Sequence, residues 1–323
     1  MLLLVSCAHR EVPPAPEVTP PPKAVKVALV LGAGASKGFA HIGVLKILET
    51  NHIPVHMIVG TSAGSFVGSL YAYGYDSYRL QRLAFGIEKG DVADLTIPDN
   101  GFIKGEKLEE YVNRAVRNTP LESLRIPFYA IATDIQSGRE FVFGRGNTGK
   151  AVRASCSIPG IFRPVLIADR MYVDGGVVSP VAVDAARKLG ADVVIAVDVS
   201  GIGENDRTQP QGTMETILQS VNIMYSRIAS EELSKADVVI KPKVGRIGSS
   251  DFTKRHEAIL EGEKAALESL PRIRELLAAK SIRLGTVLER DLAGPQRDRS
   301  HTAEVDGPEQ DDRTVPVFDG VYS

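Results

Sequence analysis

Two rhythms of apolar and polar residues alternate along the chain. Short, unbroken apolar runs rich in valine and isoleucine occur at VKVALVLG (25–32), VHMIVG (55–60), IPFYAIATDI (126–135), DVVIAVDVS (192–200) and ADVVIKPKV (236–244). Runs of this length, closed by glycine, proline or polar residues, predict buried strands. Shorter strand signals stand at REFVFG (139–144) and RMYVDGG (170–176). Between them the apolar residues recur at helical spacing. Phe39, Ile42, Leu45 and Leu48 form one stripe of GFAHIGVLKILETN (38–51). Further helical patterns follow at 62–74, 77–89, 105–118, 150–162 (halted by Pro159), 180–190 (stopped by Gly190), 214–233 and 255–277. Strands that alternate with helices predict an α/β fold, a mainly parallel sheet covered by helices on both faces in three α/β/α layers. From Ser281 onward the chain turns polar and loses its period, so 281–323 is expected to be a disordered tail.

Two strand-to-helix joints carry candidate chemistry. The second, VGTSAGS (59–65), holds Gly60–Thr61–Ser62–Ala63–Gly64, a G-x-S-x-G pattern between an apolar run and a helix. Such a turn presents a serine strained and exposed, and the flanking glycines leave room for the backbone to cross. Ser62 would also sit at a helix N-terminus, where free N–H groups favour a developing anion. The first joint, GAGASKG (32–38), has its glycines at Gly32, Gly34 and Gly38. That is G-x-G-x-x-x-G, not the dinucleotide G-x-G-x-x-G, and Lys37 is followed by Gly38 rather than the serine or threonine of a phosphate loop. No acidic residue closes the second strand to take a ribose. Backbone N–H groups beside a nucleophile fit an oxyanion hole better than a nucleotide site.

A nucleophilic serine needs a base. Ser62, Asp174 and His256 follow the chain order of the α/β-hydrolase triad. Only two strands precede Ser62, however, and His256 opens a charged helix. His41 and His52 fall with the first helix, and His56 begins the second strand. The alternative base is Asp174 itself, at a strand end before Gly175 and Gly176. A carboxylate is ordinarily a weak proton acceptor, and a dry cleft would raise its proton affinity. Asp134, Asp184 and Asp198 are rival carboxylates, the first and last at strand ends and the second in a helix.

Composition narrows the picture. The chain has 323 residues with a net charge of −2, so no global basic field argues for nucleic acid. Two cysteines, Cys7 and Cys156, make neither a disulfide framework nor a metal cage. No apolar run reaches the ~18 residues of a membrane span. LLLVSC (2–7) resembles the end of a bacterial lipoprotein signal, although fewer apolar residues precede Cys7 than the usual 7–15 or so of a secretory signal. The proline-rich EVPPAPEVTPPPK (11–23) is a semi-extended spacer. The expected organisation is a signal remnant at 1–6, a lipid-carrying Cys7 and linker at 7–24, a folded domain at 25–280 and the tail at 281–323. It places the protein on a bacterial envelope membrane, or in the cytoplasm if Cys7 carries no lipid.

Taken together, the glycine turn with AHIGVLK, then GTSAGS, ATDIQSGREFVF, ASCSIPGIFRPV and YVDGG, in this order from about Val25 to Leu277, resemble the patatin-like phospholipases. The resemblance implies acyl-ester hydrolysis without metal or cofactor, with Ser62 as nucleophile and Asp174 as base. It implies an oxyanion hole from the N–H groups of Ala33, Gly34, Ala35 and Ala63, supported by Lys37, Gly38, Gly60, Gly64, Gly175 and Gly176. The implied substrate is a phospholipid, lysophospholipid or related fatty-acyl ester; no nucleotide or nucleic acid is expected. Ala33 and Ala35 stand where the family usually has glycine, and a left-handed backbone at either would cost about 1–2 kcal/mol. Cys156 is expected to be a small buried residue, and 77–119 is a candidate cover for the cleft. The competing class is a lipid-binding lipoprotein with a vestigial serine.

Overall fold

The computed structural model describes residues 25–94, 103–201 and 212–292, with side chains of the last helix described to residue 280. Strands β1 (Val27–Leu31), β2 (Met57–Thr61), β3 (Phe128–Asp134), β4 (Arg139–Phe143), β5 (Val165–Ile167), β6 (Arg170–Asp174), β7 (Val193–Val197) and β8 (Val238–Ile240) form one sheet. Its order is β5-β6-β3-β2-β1-β7-β8, with β4 also paired to β3. The run β3-β2-β1-β7-β8 is parallel, and the pairs of β3 with β4, β3 with β6 and β5 with β6 are antiparallel. The sheet is thus mainly parallel, as the strand–helix alternation predicts. The short β5 left no clear period in the sequence.

The strand faces explain the layers. Side chains point alternately to the two faces of a strand, and all five residues of β1 are buried. Val27, Leu29 and Leu31 pack into one core with α1 (Ala40–Thr50), α2 (Ala63–Tyr73), α3 (Ser77–Gly86), α5 (Glu106–Ala115), α6 (Thr148–Ser155) and α9 (Arg255–Leu292). Ala28 and Val30 pack into the other core with α7 (Val183–Lys188) and α8 (Thr213–Leu233). The expected helix at 77–89 divides into α3 and a single turn, α4 (Lys89–Val92). Arg255 of α9 closes this division: its guanidinium donates to the carbonyls of Ala84 and Ile87 at 2.8 Å each. Those carbonyls end α3 without intrahelical partners, so the bond fixes α3 to α9.

The last helix runs to Leu292, past the expected end of the domain at 280. Residues 281–292 carry Leu284, Leu288 and Leu292 at four-residue spacing, a helical period that continues the helix beyond the expected boundary. The rest of the expected tail, and the segments 1–6 and 7–24 with Cys7, lie outside the described residues.

What positions the site is the occupancy of β3. On one edge, β4 pairs with Ala130 to Asp134. On the other, β2 pairs up to Thr61 opposite Ile131, and β6 arrives antiparallel to end with Asp174 opposite Ala132. Two strands of opposite direction therefore finish against neighbouring residues of one edge. The next residue of the first is Ser62, and the last of the second is Asp174.

Candidate active site

Ser62 sits between β2 and α2 with φ 55° and ψ −122°. A serine in this region is strained by about 1–3 kcal/mol, and the surroundings hold it there. Its N–H donates to Ser155 Oγ at 2.9 Å, and Ser155 in turn donates to the Ile131 carbonyl at 2.5 Å. The chain crosses itself at this elbow: a Cβ on Gly64 would lie 2.0 Å from the Leu31 carbonyl oxygen. Gly38 brings the glycine turn against the elbow, where a Cβ would meet that of Ala63 at 2.5 Å.

Ser62 Oγ donates to Asp174 Oδ2 at 2.5 Å. Asp174 Oδ1 accepts the Gly176 N–H at 2.7 Å. Its backbone is pinned on both sides, N–H to the Ser157 carbonyl at 2.8 Å and carbonyl from Thr133 Oγ1 at 2.9 Å. Asp174 is fully buried. Burial pushes its carboxyl up from 3.8 to about 6, against the bonds from Ser62 and Gly176 and the nearby Tyr225, which lower it. Tyr225 turns its buried hydroxyl toward this carboxylate without closing a full hydrogen bond. Gly175 and Gly176 serve close approach rather than turn freedom: neither has positive φ. A Cβ on Gly175 would lie 2.3 Å from the Ile131 carbonyl oxygen, and one on Gly176 would enter the Tyr225 ring.

No histidine among the described residues joins this pair. His41 is buried, its Nε2 lies 2.9 Å from the Gly32 carbonyl, and burial lowers its pKa to about 4. It is a neutral strut between α1 and the glycine turn. His52 lies just past α1 with φ 55°, and exposed His256 stacks on Phe85. The rival carboxylates are engaged elsewhere. Asp134 accepts N–H bonds within its own turn, Asp198 accepts from Ser200, and Asp184 pairs with Lys235.

The glycine turn corrects one expectation. The Ala33 N–H donates to the Pro180 carbonyl at 2.9 Å, so it is not a free oxyanion donor. The N–H groups of Gly34 and Ala35 find no acceptor among the described residues, and that of Ala63 opens α2, where none is available within the helix. Ala35 holds φ 50°, so the alanine-for-glycine strain falls there and not at Ala33. Lys37 is buried and directs its ammonium to the Gly201 carbonyl at 2.9 Å, tying the turn to the loop after β7.

A cavity of about 290 Å³ opens beside Ser62, Ala35 and Ala63. Its walls are mostly apolar and include Phe66 of α2, Leu80 and Leu83 of α3 and Tyr111 of α5. The described parts of segment 77–119 thus contribute to the cavity wall. Cys156, expected to be a small buried residue, is half-buried and faces this cavity, with Sγ 3.7 Å from Ser65 Oγ. Enclosure, then the Asp174 charge, pushes its thiol above the ordinary range. No cluster of histidine, cysteine and acidic residues among the described residues could hold a metal.

Glu232 of α8 has no motif in the sequence and yet organises the site from behind. It accepts Ser179 Oγ at 2.5 Å and the Val181 N–H at 2.9 Å. The loop so held receives the Ala33 N–H through Pro180 and the Thr61 hydroxyl through Ser179. Burial raises the Glu232 carboxyl to about 7. Ser155 and Tyr225 were equally silent, because a serine in a helix and a tyrosine on an amphipathic face have no local signature.

Residues 29–187 match the family model "Patatin-like phospholipase". The chain is 32% identical over 285 residues to "Lysophospholipase NTE1" of Coccidioides immitis, covering 77% of this chain and 18% of that protein. It is 35% identical over 188 residues to "Patatin-like phospholipase domain-containing protein 6" of Homo sapiens, covering 56% of this chain and 14% of that one. The chain therefore spans less than a fifth of the length of either relative. Among solved structures, VipD from Legionella pneumophila has a TM-score of 0.51 at 12% identity, over 79% of this chain and 67% of that one, a likeness of fold. The chain carries a domain of the patatin-like phospholipase family.

Two outcomes follow from the strained and buried groups. Ala35→Gly relieves the left-handed alanine but adds unfolded-state freedom, for a net gain of about 0.5–1 kcal/mol. Thermal melting should rise by about 1–3 °C; no rise would mean that Ala35 is unstrained. Asp174 has a folded pKa above its unfolded one, so the native state binds the proton more tightly between the two values. Its contribution to stability is full below about pH 4 and is lost as pH rises to about 6, a change on the order of 3 kcal/mol. Asp174→Asn should therefore match or exceed wild-type stability at pH 8 in urea unfolding, and the advantage should vanish near pH 4. Glu232 titrates in both proteins and cancels in the comparison.

Proposed function

We propose that the protein is a serine-dependent lipid acyl hydrolase working through a Ser62–Asp174 dyad. The observation that carries the reading is the 2.5 Å hydrogen bond between these side chains at the wall of an apolar cavity. Ser62 Oγ attacks the acyl carbonyl carbon as its proton passes to Asp174 Oδ2. The N–H groups of Gly34, Ala35 and Ala63 hold the oxyanion. Asp174 then returns the proton to the leaving alkoxide, giving an acyl-enzyme and a free alcohol. Water, deprotonated by Asp174, attacks the acyl carbon, and Asp174 returns that proton to Ser62 Oγ as the acyl–serine bond breaks and the fatty acid leaves. A carboxyl near 6 is a better proton acceptor than an exposed aspartate and is still ionised at neutral pH.

The cavity volume supports a single-chain substrate. About 290 Å³ lies at the lower end of the ~300–1,000 Å³ usual for ligand pockets and suits one acyl chain. The name lysophospholipase borne by a relative agrees with that class.

We propose further that Cys7 carries lipid and holds the domain at a bacterial envelope membrane. LLLVSC and the proline-rich spacer support this; no helix among the described residues is long and apolar enough to cross a membrane.

The dyad is tested with a fluorophosphonate on the full chain. Wild type should label, Ser62→Ala should not, and Asp174→Asn should label at least ~100-fold more slowly, the scale of general-base catalysis. The wild-type rate should fall as pH drops below about 6, where protonated Asp174 cannot take the serine proton. A folded wild type that binds lysophospholipid but never labels would instead make this a lipid-binding protein. The anchor is tested by growing cells on radiolabelled palmitate: label should enter wild type and be absent from Cys7→Ser.

A further inference from the structure

Away from the catalytic cavity, the described residues form a second, solvent-facing pocket of about 160 Å³ with the opposite chemistry. Its walls are Tyr73, Gly74, Tyr75, Arg79, Arg117 and Arg125. No carboxylate lines it, and none of the three guanidiniums makes an ion pair among the described residues. Asp76, the acid nearest in sequence, is turned instead to cap α3 through the Arg79 backbone N–H.

All three arginines are exposed at the rim of this pocket, and the side chains of Arg79 and Arg125 are placed by their neighbours. Arg79 lies over the Tyr75 ring at 4.7 Å, and Tyr75 is fixed by its hydroxyl bond to the Ala115 carbonyl at 2.8 Å. Arg125 lies across Gly74, where φ is +118° and a Cβ would come within 2.8 Å of Nη1. Arg117 and Asn118 take φ 52° and 56°, two consecutive left-handed residues that glycine would occupy more cheaply. Helices α2 and α5 both end here, at Tyr73 and Ala115. Each contributes about half a negative charge. Their sum of about −1 against three guanidiniums leaves roughly two positive charges uncompensated.

We propose that this pocket binds a phosphoryl group. A phosphate monoester carries about −1.5 to −2 charges at neutral pH, which matches the excess. Guanidinium forks bind its oxygens in pairs, which point-charge lysines do not. The group arrives on a small soluble phosphate or on a lipid headgroup. The site is separate from the chemistry: eleven residues of α2 lie between Ser62 and Gly74, about 16 Å of helix. Its occupant would join the end of α2, the start of α3 and the end of α5. The same three helices wall the acyl cavity through Leu70, Leu80 and Tyr111. A bound phosphoryl group thus steadies that wall without taking part in ester cleavage.

The test uses the full chain in two arms. In the first, thermal melting is compared in sodium phosphate and in sodium chloride at matched ionic strength. In the second, flotation is compared with phosphatidylcholine vesicles lacking or holding phosphatidic acid. Phosphate at about ten times its dissociation constant should raise melting by about 3 °C, or phosphatidic acid should increase flotation. The first result identifies a soluble phosphate and the second a headgroup. Either response should be lost in Arg79→Gln, Arg117→Gln and Arg125→Gln, each of which should keep the wild-type fluorophosphonate labelling rate as a check on folding. Arg125→Lys should retain only a weakened response. No response in either arm, an equal effect of chloride, or a response that survives all three glutamine variants would overturn the proposal.

Discussion

One edge of β3 is divided between two strands that run toward each other, and the candidate site depends on that division. β2 ends opposite Ile131 and β6 ends opposite Ala132, so the residue after the one and the last residue of the other are thrown together on one edge of β3. Ser62 and Asp174 are 112 positions apart in the chain and 2.5 Å apart in space for this reason. The Ile131 carbonyl, left without a strand partner where β2 stops, accepts the Ser155 hydroxyl, which then fixes the Ser62 N–H. A single interruption of the ladder thereby supplies the opening, the anchor and the strained backbone of the nucleophile. Ser62 cannot relax toward an ordinary φ without breaking that chain of bonds.

The same burial that brings the pair together sets its electrostatics. Removing Asp174 from water costs stability and raises its proton affinity, so the two effects are one. The fold limits the cost with two donors to the carboxylate and none of full charge. A lysine or arginine there would hold the carboxylate ionised but would weaken it as a base. Lys37, the nearest cation in the motif, is instead directed to the Gly201 carbonyl. Glu232 repeats the arrangement one layer behind, a buried carboxylate satisfied by a hydroxyl and an N–H, and there it holds a loop.

Helices α2, α3 and α5 carry two chemistries along their lengths. Toward Ser62 they present apolar side chains to an enclosed cavity, and at the far ends of α2 and α5 and the start of α3 they present arginines and tyrosines. Arg255 fixes the other end of α3 through the carbonyls of Ala84 and Ile87. A charged group therefore fixes the end of α3 to α9, while Leu80 and Leu83 of the same helix line the cavity. Dispersion contacts adapt to a chain of varying length, whereas guanidinium bonds hold one geometry.

Much of this was legible in the sequence because it is local. Period and run length are properties of a few consecutive residues, and they determined the strands, the helices and the three-layer α/β/α architecture. G-x-S-x-G determined an elbow at Ser62, since only small flanking residues allow the backbone to cross. Asp174 remained one carboxylate among several until β6 took its place on β3, and the antiparallel sense of that strand has no sequence signature. The tertiary structure alone decided that Ala33 gives its N–H to Pro180 while Ala35 carries the strain, because hydrogen-bond partners are chosen by what packs nearby. It alone revealed Ser155, Tyr225 and Glu232, ordinary residues made important by what they face. Sequence determines which conformations each segment prefers; which distant groups then share one dry pocket depends on how the layers close.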